Sequence, residues 1–299
     1  MMVNLQVTEA RKSKVIQKTG FGAYDYCANP YVGCQFGCTY CYVRFFVKDP
    51  TKPWGEFVRI RNFINDKFPK ELPAIEGKRL VIGTMTDPYQ PSERKYRITR
   101  SMLTAILNAP KRPAQLGIFT RSPIIKDDVK LLADLGARVH ITITPYERHI
   151  LTKIEPIAVT TKARFDLAKF MVDNGVKVHI SISPVMPVLS DSFTDEFVAE
   201  IVRIKPNGFT IDPMQAYGAA FEATDEALKG EPDWIRASAV ILDKDSYNEW
   251  KKTYSESWMK TWAPHVQLPI LPISMDHASG ARTDLRTGNT IDFKEFNYG

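Results

Sequence analysis

The sequence lacks the patterns that would place the protein in or across a membrane. No run of about 18 apolar residues occurs, so no segment is expected to cross a bilayer as a helix. The first residues, Met1–Lys14, contain no apolar stretch of the kind that a secretory signal requires. We therefore expect a cytoplasmic protein with no membrane partner.

Cysteine is scarce, and its placement is informative. The chain has 4 cysteines, of which Cys34, Cys38 and Cys41 are close together, while Cys27 precedes them and residues 42–299 contain none. A secreted disulfide scaffold would distribute its cysteines along the chain. The clustering instead indicates a metal site in a reducing compartment.

The overall composition is that of a globular protein, but the charge is uneven. Hydrophobic residues make up 44% and charged residues 25%, which excludes disordered and collagen-like classes. Residues 1–150 carry 24 Lys and Arg against 13 Asp and Glu, whereas residues 151–299 carry 16 against 21. The basic first half indicates either a polyanionic partner or a solvated basic face without one.

From about residue 79, short β-branched runs alternate with amphipathic helical patterns, which predicts parallel strands joined by crossover helices. A first strand is expected around Tyr24–Val32. The other predicted strands are Leu80–Met85, Leu116–Thr120, Arg138–Thr144, Lys177–Ser183 and Gly208–Asp212, and the predicted helices are Thr99–Asn108, Lys126–Leu135, Thr161–Asn174 and Thr194–Ile204. The fold class is therefore α/β, a partial (β/α)6 TIM-type barrel.

Two further patterns refine this prediction. The stretch Arg138-Val-His-Ile-Thr-Ile-Thr-Pro reappears as Lys177-Val-His-Ile-Ser-Ile-Ser-Pro, and both end in hydroxyl residues at the rim where barrel ligand sites form. His140 and His179 lie early in these strands, so we interpret them as packing residues. The alternation stops near Tyr217, so we divide the chain into a barrel, 1–216, and a C-terminal extension packed on it, 217–299.

The most specific motif is Asn29-Pro-Tyr-Val-Gly-Cys34-Gln-Phe-Gly-Cys38-Thr-Tyr-Cys41-Tyr42, with C-x3-C-x2-C spacing. Three thiolates on one short loop can hold three irons of a cubane cluster and leave the fourth open to a small molecule. Gly33 and Gly37 allow the tight turns that such a loop needs. A zinc site with Cys27 as fourth ligand is an alternative, although the spacing is unlike common zinc sites.

C-x3-C-x2-C with an aromatic residue before the last cysteine resembles the signature of the radical S-adenosylmethionine (SAM) enzymes. The Asn29–Cys34 segment, Thr86-Asp-Pro-Tyr-Gln-Pro, Thr120-Arg-Ser and Ile154-Glu-Pro are similar to the spore photoproduct lyase-like branch, over roughly residues 20–215. The resemblance implies a partial barrel, a 4Fe-4S cluster and SAM. Reductive cleavage of SAM then gives a 5′-deoxyadenosyl radical that removes a hydrogen atom from the substrate.

The resemblance also implies roles for individual residues. Cys34, Cys38 and Cys41 match the cluster ligands, and Tyr40 matches the aromatic residue that lies beside the adenine. Three further residues at predicted strand ends match SAM contacts, with strand-end capping as the alternative for the two threonines: Thr86, Arg121 and Thr142. Asp87 and Gln90 lie on the same predicted rim, where each either contacts the substrate or has a structural role.

Thr84 is a departure from the resemblance. The spore lyase has a cysteine at this position, which returns a hydrogen atom to the product radical, and a hydroxyl O–H bond is too strong for that step. Tyr89 and Tyr146 are alternative hydrogen-atom relays near the rim. This difference favours modification or rearrangement of a base over the lyase reaction itself.

The resemblance and the basic first half favour DNA as the substrate. Arg94, Lys95, Arg97 and Arg100 follow the rim loop and are predicted to contact phosphates. A flavodoxin- or ferredoxin-type protein is expected as electron donor. Two alternatives stay open: a radical SAM enzyme acting on a small metabolite or peptide, and a non-catalytic iron–sulfur or zinc module that binds nucleic acid.

Overall fold

The computed structural model of the chain describes residues 4–7, 14–157, 159–214, 218–275, 282–284 and 287. Within them lie the strands β1 Asn4–Val7, β2 Ile16–Lys18, β3 Tyr26–Ala28, β4 Tyr31–Val32, β5 Phe57–Ile60, β6 Arg79–Ile82, β7 Gln115–Thr120, β8 Arg138–Ile143, β9 Lys177–Val185, β10 Gly208–Pro213, β11 Leu271–Met275 and β12 Arg282–Asp284.

The same part of the chain contains the helices α1 Val43–Phe46, α2 Ile64–Glu71, α3 Glu93–Tyr96, α4 Ile98–Asn108, α5 Val129–Asp134, α6 Arg148–Ile154, α7 Thr161–Asp173, α8 Thr194–Ile204, α9 Gly218–Ala227, α10 Pro232–Leu242 and α11 Lys244–Trp262. Short 3₁₀ helices span Leu72–Ile75, Pro123–Asp128, Asp191–Phe193 and Ala263–His265. None of the helices described is both long enough and apolar enough to cross a membrane.

The chain forms two compact units. The first unit consists of Met1–Gly37, Phe46–Ile141 and Phe170–Val178, and the second unit of Cys38–Phe45, Thr142–Lys169 and His179–Gly299. The chain therefore passes from one unit to the other within β8 and again within β9.

In the first unit, β3, β6, β7 and β8 are parallel neighbours in that order, and β2 pairs antiparallel with β3. A separate small sheet contains β1 parallel and β4 antiparallel to β5. Leu80, Ile82, Ile118 and Val139 on the parallel strands have no exposed surface. Strands that are covered on both faces carry continuous apolar runs. Burial of these side chains contributes hydrophobic stabilisation to this unit.

In the second unit, β9, β10 and β11 are parallel neighbours, and β12 pairs antiparallel with β11. Gly208 at the start of β10 lies opposite both His179 and Leu271. Three tryptophans from α10 and α11 are at most 1% exposed: Trp234, Trp258 and Trp262. These rings pack in the core, so they are not available for stacking on bases.

Helix α8 shows how the sequence specifies these elements. Phe197, Val198, Ile201 and Ile204 recur at helical spacing and are buried. Acidic residues lie in its first turn, where their negative charge interacts favourably with the positive end of the helix dipole. The helix ends at Ile204, and the next residue, Lys205, adopts a left-handed conformation with φ 55°.

The predicted α/β class is confirmed, since each predicted strand region contains a strand and the strands are mostly parallel. The first region is an exception in detail, because the Asn29-Pro30 step divides Tyr24–Val32 into β3 and β4, which join different sheets. Proline has no N–H group to continue a ladder. The predicted helix Lys126–Leu135 begins as a 3₁₀ helix at Pro123, with the Ser122 side chain accepting a hydrogen bond from Ile124 N.

Strand β11 is a parallel strand that the sequence did not reveal. It lies within the region predicted as an extension and pairs with β10. The predicted boundary at 216/217 lies outside the described residues, and the division at that point stays a prediction.

Candidate functional site

The cysteine loop is a series of tight turns. Gly37 N donates to Cys34 O over 3.3 Å, Cys41 N donates to Cys38 O over 3.3 Å, and Arg44 N donates to Cys41 O over 3.2 Å. Cys34 and Cys38 are buried, at 7% and 5% exposed, and Cys41 is half-buried. The carbonyl group of each cysteine therefore closes a turn.

Glycine is required at Gly33, immediately before the first cysteine. Its φ is +87°, and a Cβ atom there would lie 2.4 Å from the carbonyl oxygen of Phe57. Gly37 also has a positive φ, at 61°. L-residues rarely adopt this conformation, so both glycines shape the loop as the sequence predicted.

In the first unit, the predicted SAM-contact residue Thr86 is tied to this loop. Its Oγ1 donates to Gly33 O over 2.7 Å and accepts from Gln90 Nε2 over 3.0 Å. Gln90 is fully buried, and its Nε2 also lies 3.4 Å from Gly33 O. The Gln90 side-chain oxygen accepts from Gln35 N over 2.8 Å. Gln90 thus contacts the residues on both sides of Cys34, which assigns it a structural role in the loop.

Asp87 organises the ends of two neighbouring strands. Its Oδ1 accepts from Thr120 Oγ1 over 2.7 Å and from Tyr89 N over 2.9 Å, while its Oδ2 accepts from Arg121 N over 3.0 Å. Burial raises the pKa of the Asp87 carboxyl, and the bonds from Arg121, Thr120 and Tyr89 oppose that rise. The predicted SAM-contact residue Arg121 is therefore fixed through its backbone, and it is half-buried.

Thr84 lies in the first unit beside the start of the cysteine motif. Its Oγ1 accepts from Asn29 Nδ2 over 3.2 Å, and Asn29 Oδ1 accepts from Met85 N over 2.8 Å. Tyr31, two residues after Asn29, donates from its hydroxyl to the buried Glu93. The segment before Cys34 is therefore held by hydrogen bonds from residues 84–93.

Tyr89 points into the core of the first unit. It is 1% exposed, and its hydroxyl donates to Asp128 Oδ2 over 3.0 Å. Burial and the nearby Asp128 carboxylate raise the pKa of Tyr89 well above its usual value. The relay role of Tyr89 stays a prediction.

The four predicted phosphate contacts are all exposed, but they differ in their partners. Arg97 forms an ion pair with Asp127 at 3.3 Å, and Arg100 forms one with Asp128. Arg94 and Lys95 lie on α3, with the Lys95 ammonium 5.2 Å from the Tyr96 ring centroid. Carboxylates offset the charge of the first two, so α3 carries the more available positive charge.

In the second unit, Tyr40 is bound to a buried carboxylate. Its hydroxyl donates to Glu155 Oε1, and the neighbouring Thr39 N donates to Ile154 O over 2.9 Å. Glu155 forms an ion pair with Arg164, and the two residues are 1% and 0% exposed. The end of α6 therefore holds the segment between Cys38 and Cys41.

Arg164 also reaches the end of β8. Its Nη1 lies 3.3 Å from the carbonyl oxygen of Thr142, the third predicted SAM contact, and 3.4 Å from Thr144 Oγ1. Its Nε donates to Val159 O over 2.9 Å. Thr142 itself is half-buried.

Tyr146, the other predicted relay, is 3% exposed, and its hydroxyl donates to Pro184 O. Burial and nearby tyrosine and glutamate oxygens raise the pKa of Tyr146 well above its usual value. The ring belongs to an apolar cluster with Ile150 and Trp234. A catalytic role for Tyr146 stays a prediction.

Four residues that position the loop were missed from the sequence: Asn29, Gln35, Glu93 and Arg164. Asn29 and Gln35 lie inside the cysteine motif and Glu93 lies just after the Thr86–Pro91 motif, so their positions in the sequence could have indicated a role. Arg164 had no such signal, since it follows Ala163 and precedes Phe165 in a helical pattern like any surface arginine. Its burial depends on the ion pair with Glu155, nine residues earlier, which the helical pattern does not indicate.

The donor set fits an iron–sulfur cluster better than a single ion. Among the residues described, no three His, Cys, Asp or Glu side chains meet around one ion-sized site. A cubane does not need that convergence, because each cysteine binds a different iron. Three cysteines with C-x3-C-x2-C spacing are therefore suited to such a group.

Comparison with known proteins is consistent with this chemistry. A model of the Radical SAM superfamily matches residues 28–201. An uncharacterized protein of Methanocaldococcus jannaschii is 30% identical over 216 residues, covering 69% of this chain and 81% of that protein. An uncharacterized protein of Mycobacterium tuberculosis is 25% identical over 208 residues, covering 66% of this chain and 60% of that protein.

Among solved structures, a mutant of spore photoproduct lyase is similar with a TM-score of 0.68 at 14% identity, covering 90% of this chain and 81% of that chain. The same lyase complexed with dinucleoside spore photoproduct gives 0.65 at 13% identity, with the same coverage. At this identity the likeness establishes a shared fold. Because the family model matches more than half of the chain and includes all three cysteines, the chain belongs to the radical SAM superfamily, whose enzymes use a 4Fe-4S cluster and SAM.

Proposed function

We propose that this radical SAM enzyme acts on a pyrimidine base in DNA, which it repairs, modifies or rearranges. Cys34, Cys38 and Cys41 would hold the 4Fe-4S cluster. When bound, the cluster and SAM supply a 5′-deoxyadenosyl radical that takes a hydrogen atom from the substrate. A flavodoxin- or ferredoxin-type protein of the cytoplasm is the proposed electron donor.

The chain's own residues orient these groups and the substrate. The proposed SAM contacts are Tyr40, Thr86, Arg121 and Thr142. A guanidinium such as that of Arg121 suits the SAM carboxylate, because its paired N–H donors match the two carboxylate oxygens. Thr86 is buried, and such surroundings would keep water away from a radical formed beside it.

The observation that carries the DNA proposal is the connection between the cysteine loop and α3. Gln90 bonds to Gly33 and Gln35, and the exposed Arg94 and Lys95 follow it by four and five residues. Positive charge is thus held within the first unit close to the loop that carries Cys34. Lys and Arg at such a place can bind the phosphates that flank a base. The fold shared with spore photoproduct lyase, which was solved in complex with dinucleoside spore photoproduct, supports the same class of substrate.

Thr84 favours modification or rearrangement over the lyase reaction. By resemblance, this position holds the hydrogen-donating cysteine of the lyase, and here its hydroxyl accepts a hydrogen bond from Asn29. A rearrangement can recover its hydrogen atom from 5′-deoxyadenosine and needs no separate donor.

The test uses protein reconstituted with iron and sulfide under anaerobic conditions. 5′-Deoxyadenosine formed from SAM and dithionite is quantified without DNA and with DNA that carries native, irradiated or hypermodified thymines, and the digested nucleosides are analysed by mass spectrometry. We expect one DNA to raise the yield and to change in its nucleosides, with a Cys34→Ala variant as the inactive control.

Other outcomes identify the alternatives. Equal SAM cleavage with and without every DNA would overturn the DNA proposal and direct the search to a metabolite or peptide. Cluster binding without any SAM cleavage would indicate a non-catalytic iron–sulfur module that binds nucleic acid.

A further inference from the structure

The second unit contains one ion pair that is fully enclosed, between Glu155 and Arg164. The two side chains are 1% and 0% exposed. Enclosing two charges is costly unless their geometry and remaining hydrogen bonds are well satisfied. An apolar pair of similar size would serve packing alone equally well. The contacts of the pair therefore need an explanation beyond packing.

Those contacts lead to two of the proposed SAM-binding residues. Glu155 Oε1 accepts from the hydroxyl of Tyr40 and from Thr144 Oγ1, the latter over 3.3 Å. Arg164 donates to the carbonyl oxygen of Thr142 over 3.3 Å. Tyr40 lies between two cluster cysteines and Thr142 at the end of β8, and the ion pair links them.

The shape of the guanidinium makes this link rigid. Arg164 directs separate N–H groups to Glu155 and Val159 O, in the connection between α6 and α7, and to Thr142 O in β8. A planar guanidinium holds its donors at fixed angles, whereas a lysine ammonium has one flexible centre. Thr39 N, bonded to Ile154 O over 2.9 Å, fixes the backbone beside Tyr40.

We propose that Glu155 and Arg164 are positioning residues for SAM, which set the orientation of Tyr40 and Thr142 toward the adenosine part of the cofactor. The proposal rests on the proposed roles of these two residues as SAM contacts. The pair does not touch the reacting atoms. It removes rotational freedom from the ring of Tyr40 before SAM arrives, so less entropy is lost on binding.

The test separates SAM binding from folding. Binding of radiolabelled SAM is measured by equilibrium dialysis on the reconstituted, cluster-loaded protein, together with iron content, melting temperature, and KM and kcat for 5′-deoxyadenosine formation. The variants are Tyr40→Phe, which removes only the hydroxyl, and Arg164→Lys, which keeps the charge but not the fork. The control is Tyr247→Phe, because this tyrosine is also buried in the second unit and donates to a backbone carbonyl, Met214 O.

We expect Tyr40→Phe and Arg164→Lys to weaken SAM binding about tenfold, the effect of losing one hydrogen bond to a charged group. KM for SAM should rise by a similar factor with a smaller change in kcat, and iron content should stay at the wild-type level. Tyr247→Phe should bind SAM as the wild type does.

Glu155→Gln leaves Arg164 enclosed without its counter-ion and is expected to lower the melting temperature. The double variant Glu155→Gln/Arg164→Met removes both charges and is therefore the informative variant of the pair.

Two results would overturn the inference. In the first, Tyr40→Phe and Arg164→Lys lower the melting temperature but bind SAM with wild-type affinity, which would make the pair purely structural. In the second, Glu155→Gln/Arg164→Met retains wild-type affinity and KM. Failure of DNA to stimulate SAM cleavage leaves these binding measurements intact, whereas a wild-type protein that binds no SAM would overturn both proposals.

Discussion

The side chain of Gln90 bonds to the carbonyl oxygen of Gly33, the residue directly before Cys34. Its Nε2 lies 3.4 Å from that oxygen, and its own carbonyl accepts from Gln35 N over 2.8 Å. One fully buried amide thereby fixes the backbone on both sides of Cys34. This contact explains why a glutamine stands in the rim loop, where the sequence left a choice between substrate and structure.

Replacing Gln90 with alanine should loosen the loop around Cys34. Gln35 N would lose its acceptor, at a cost of about 1–3 kcal/mol if it stays buried, and Gly33 O would keep only its shorter bond from Thr86 Oγ1. We expect the Gln90→Ala protein to fold but to contain less iron after reconstitution and to lose its cluster faster in air, as measured by iron content and visible absorbance.

Gln17→Ala is the matched control, because Gln17 Nε2 donates to Lys14 O at an exposed site. It should retain the wild-type iron content. Equal cluster stability in Gln90→Ala and the wild type would show that Gln90 does not support the loop.

Each of the three motif cysteines should be required for the cluster, and the fourth should not. Cys34→Ala, Cys38→Ala and Cys41→Ala are expected to remove most of the bound iron and all measurable SAM cleavage, because each thiolate is proposed to bind a separate iron. Cys27, on β3, pairs through its backbone with Gln17 and Val81. The Cys27→Ala protein should retain its iron. Loss of iron in this variant would indicate that Cys27 is a fourth metal ligand, as in the alternative zinc site.

Asp49 should contribute to stability only above strongly acidic pH. Hydrogen bonds from the backbone and side chain of Thr51, and then from Arg59, lower the pKa of Asp49 to about 2 from 3.8. A carboxyl group with a lowered folded pKa stabilises the protein above its unfolded pKa, and this contribution is lost as the pH falls through the folded value. The difference in unfolding free energy between wild type and Asp49→Asn should therefore shrink from about pH 4 to about pH 2, as measured by urea titration.

Asp66→Asn, which removes an exposed carboxylate from α2, serves as the comparison. A pH-independent difference between the wild type and Asp49→Asn would contradict the assignment of these bonds.

Tyr89 and Tyr146 can be tested as hydrogen-atom relays by separating radical formation from product formation. Tyr89→Phe keeps the ring but removes the hydroxyl that donates to Asp128. If Tyr89 relays hydrogen atoms, 5′-deoxyadenosine should still form, but the amount of product per SAM cleaved should fall at least about tenfold. This corresponds to a barrier for hydrogen return that is about 1.4 kcal/mol higher.

Tyr146→Phe is made in parallel. If one of the two tyrosines is the relay, only its variant should uncouple the reaction. Unchanged product yield in both would remove the tyrosines from the mechanism and would leave 5′-deoxyadenosine as the source of the returned hydrogen.

The charge on α3 should determine how DNA binding depends on salt. Each phosphate contact contributes about 0.9 to the slope of log K against log salt concentration. Arg94→Ala/Lys95→Ala should therefore lower the slope by about 2 and weaken binding evenly across sequences. Lys229→Ala, which removes an exposed lysine from the second unit, should leave the slope unchanged. An unaltered slope in the α3 variant would place the DNA elsewhere.

Much of the fold was predictable because the parallel strands carry continuous apolar runs and their helices end at glycine or proline. The boundaries of α8 were predicted to the residue, since Phe197, Val198, Ile201 and Ile204 form one clean face. Strand β11 was not predictable, because the prolines Pro269 and Pro272 interrupt the apolar pattern that indicates a strand. The segment pairs with β10 in the folded chain.

The site was predictable where chemistry is local and hidden where it depends on distant contacts. The cysteine spacing and its glycines lie within one segment, so they indicated the cluster directly. The pairing of Glu155 with Arg164, and of Tyr31 with Glu93, depends on the folded chain. Arg97 and Arg100 looked as available as Arg94 until Asp127 and Asp128 were placed beside them.

The position of β11 has a consequence for synthesis of the protein. β10 lies between β9 and β11, yet three helices, α9, α10 and α11, separate β10 from β11 along the chain. Until the ribosome has released Leu271–Met275, one edge of β10 has no neighbouring strand. Such an edge can pair with strands of other chains, so we expect the growing polypeptide to pass through an aggregation-prone stage. Truncation before Leu271 should therefore give inclusion bodies in place of a smaller folded enzyme.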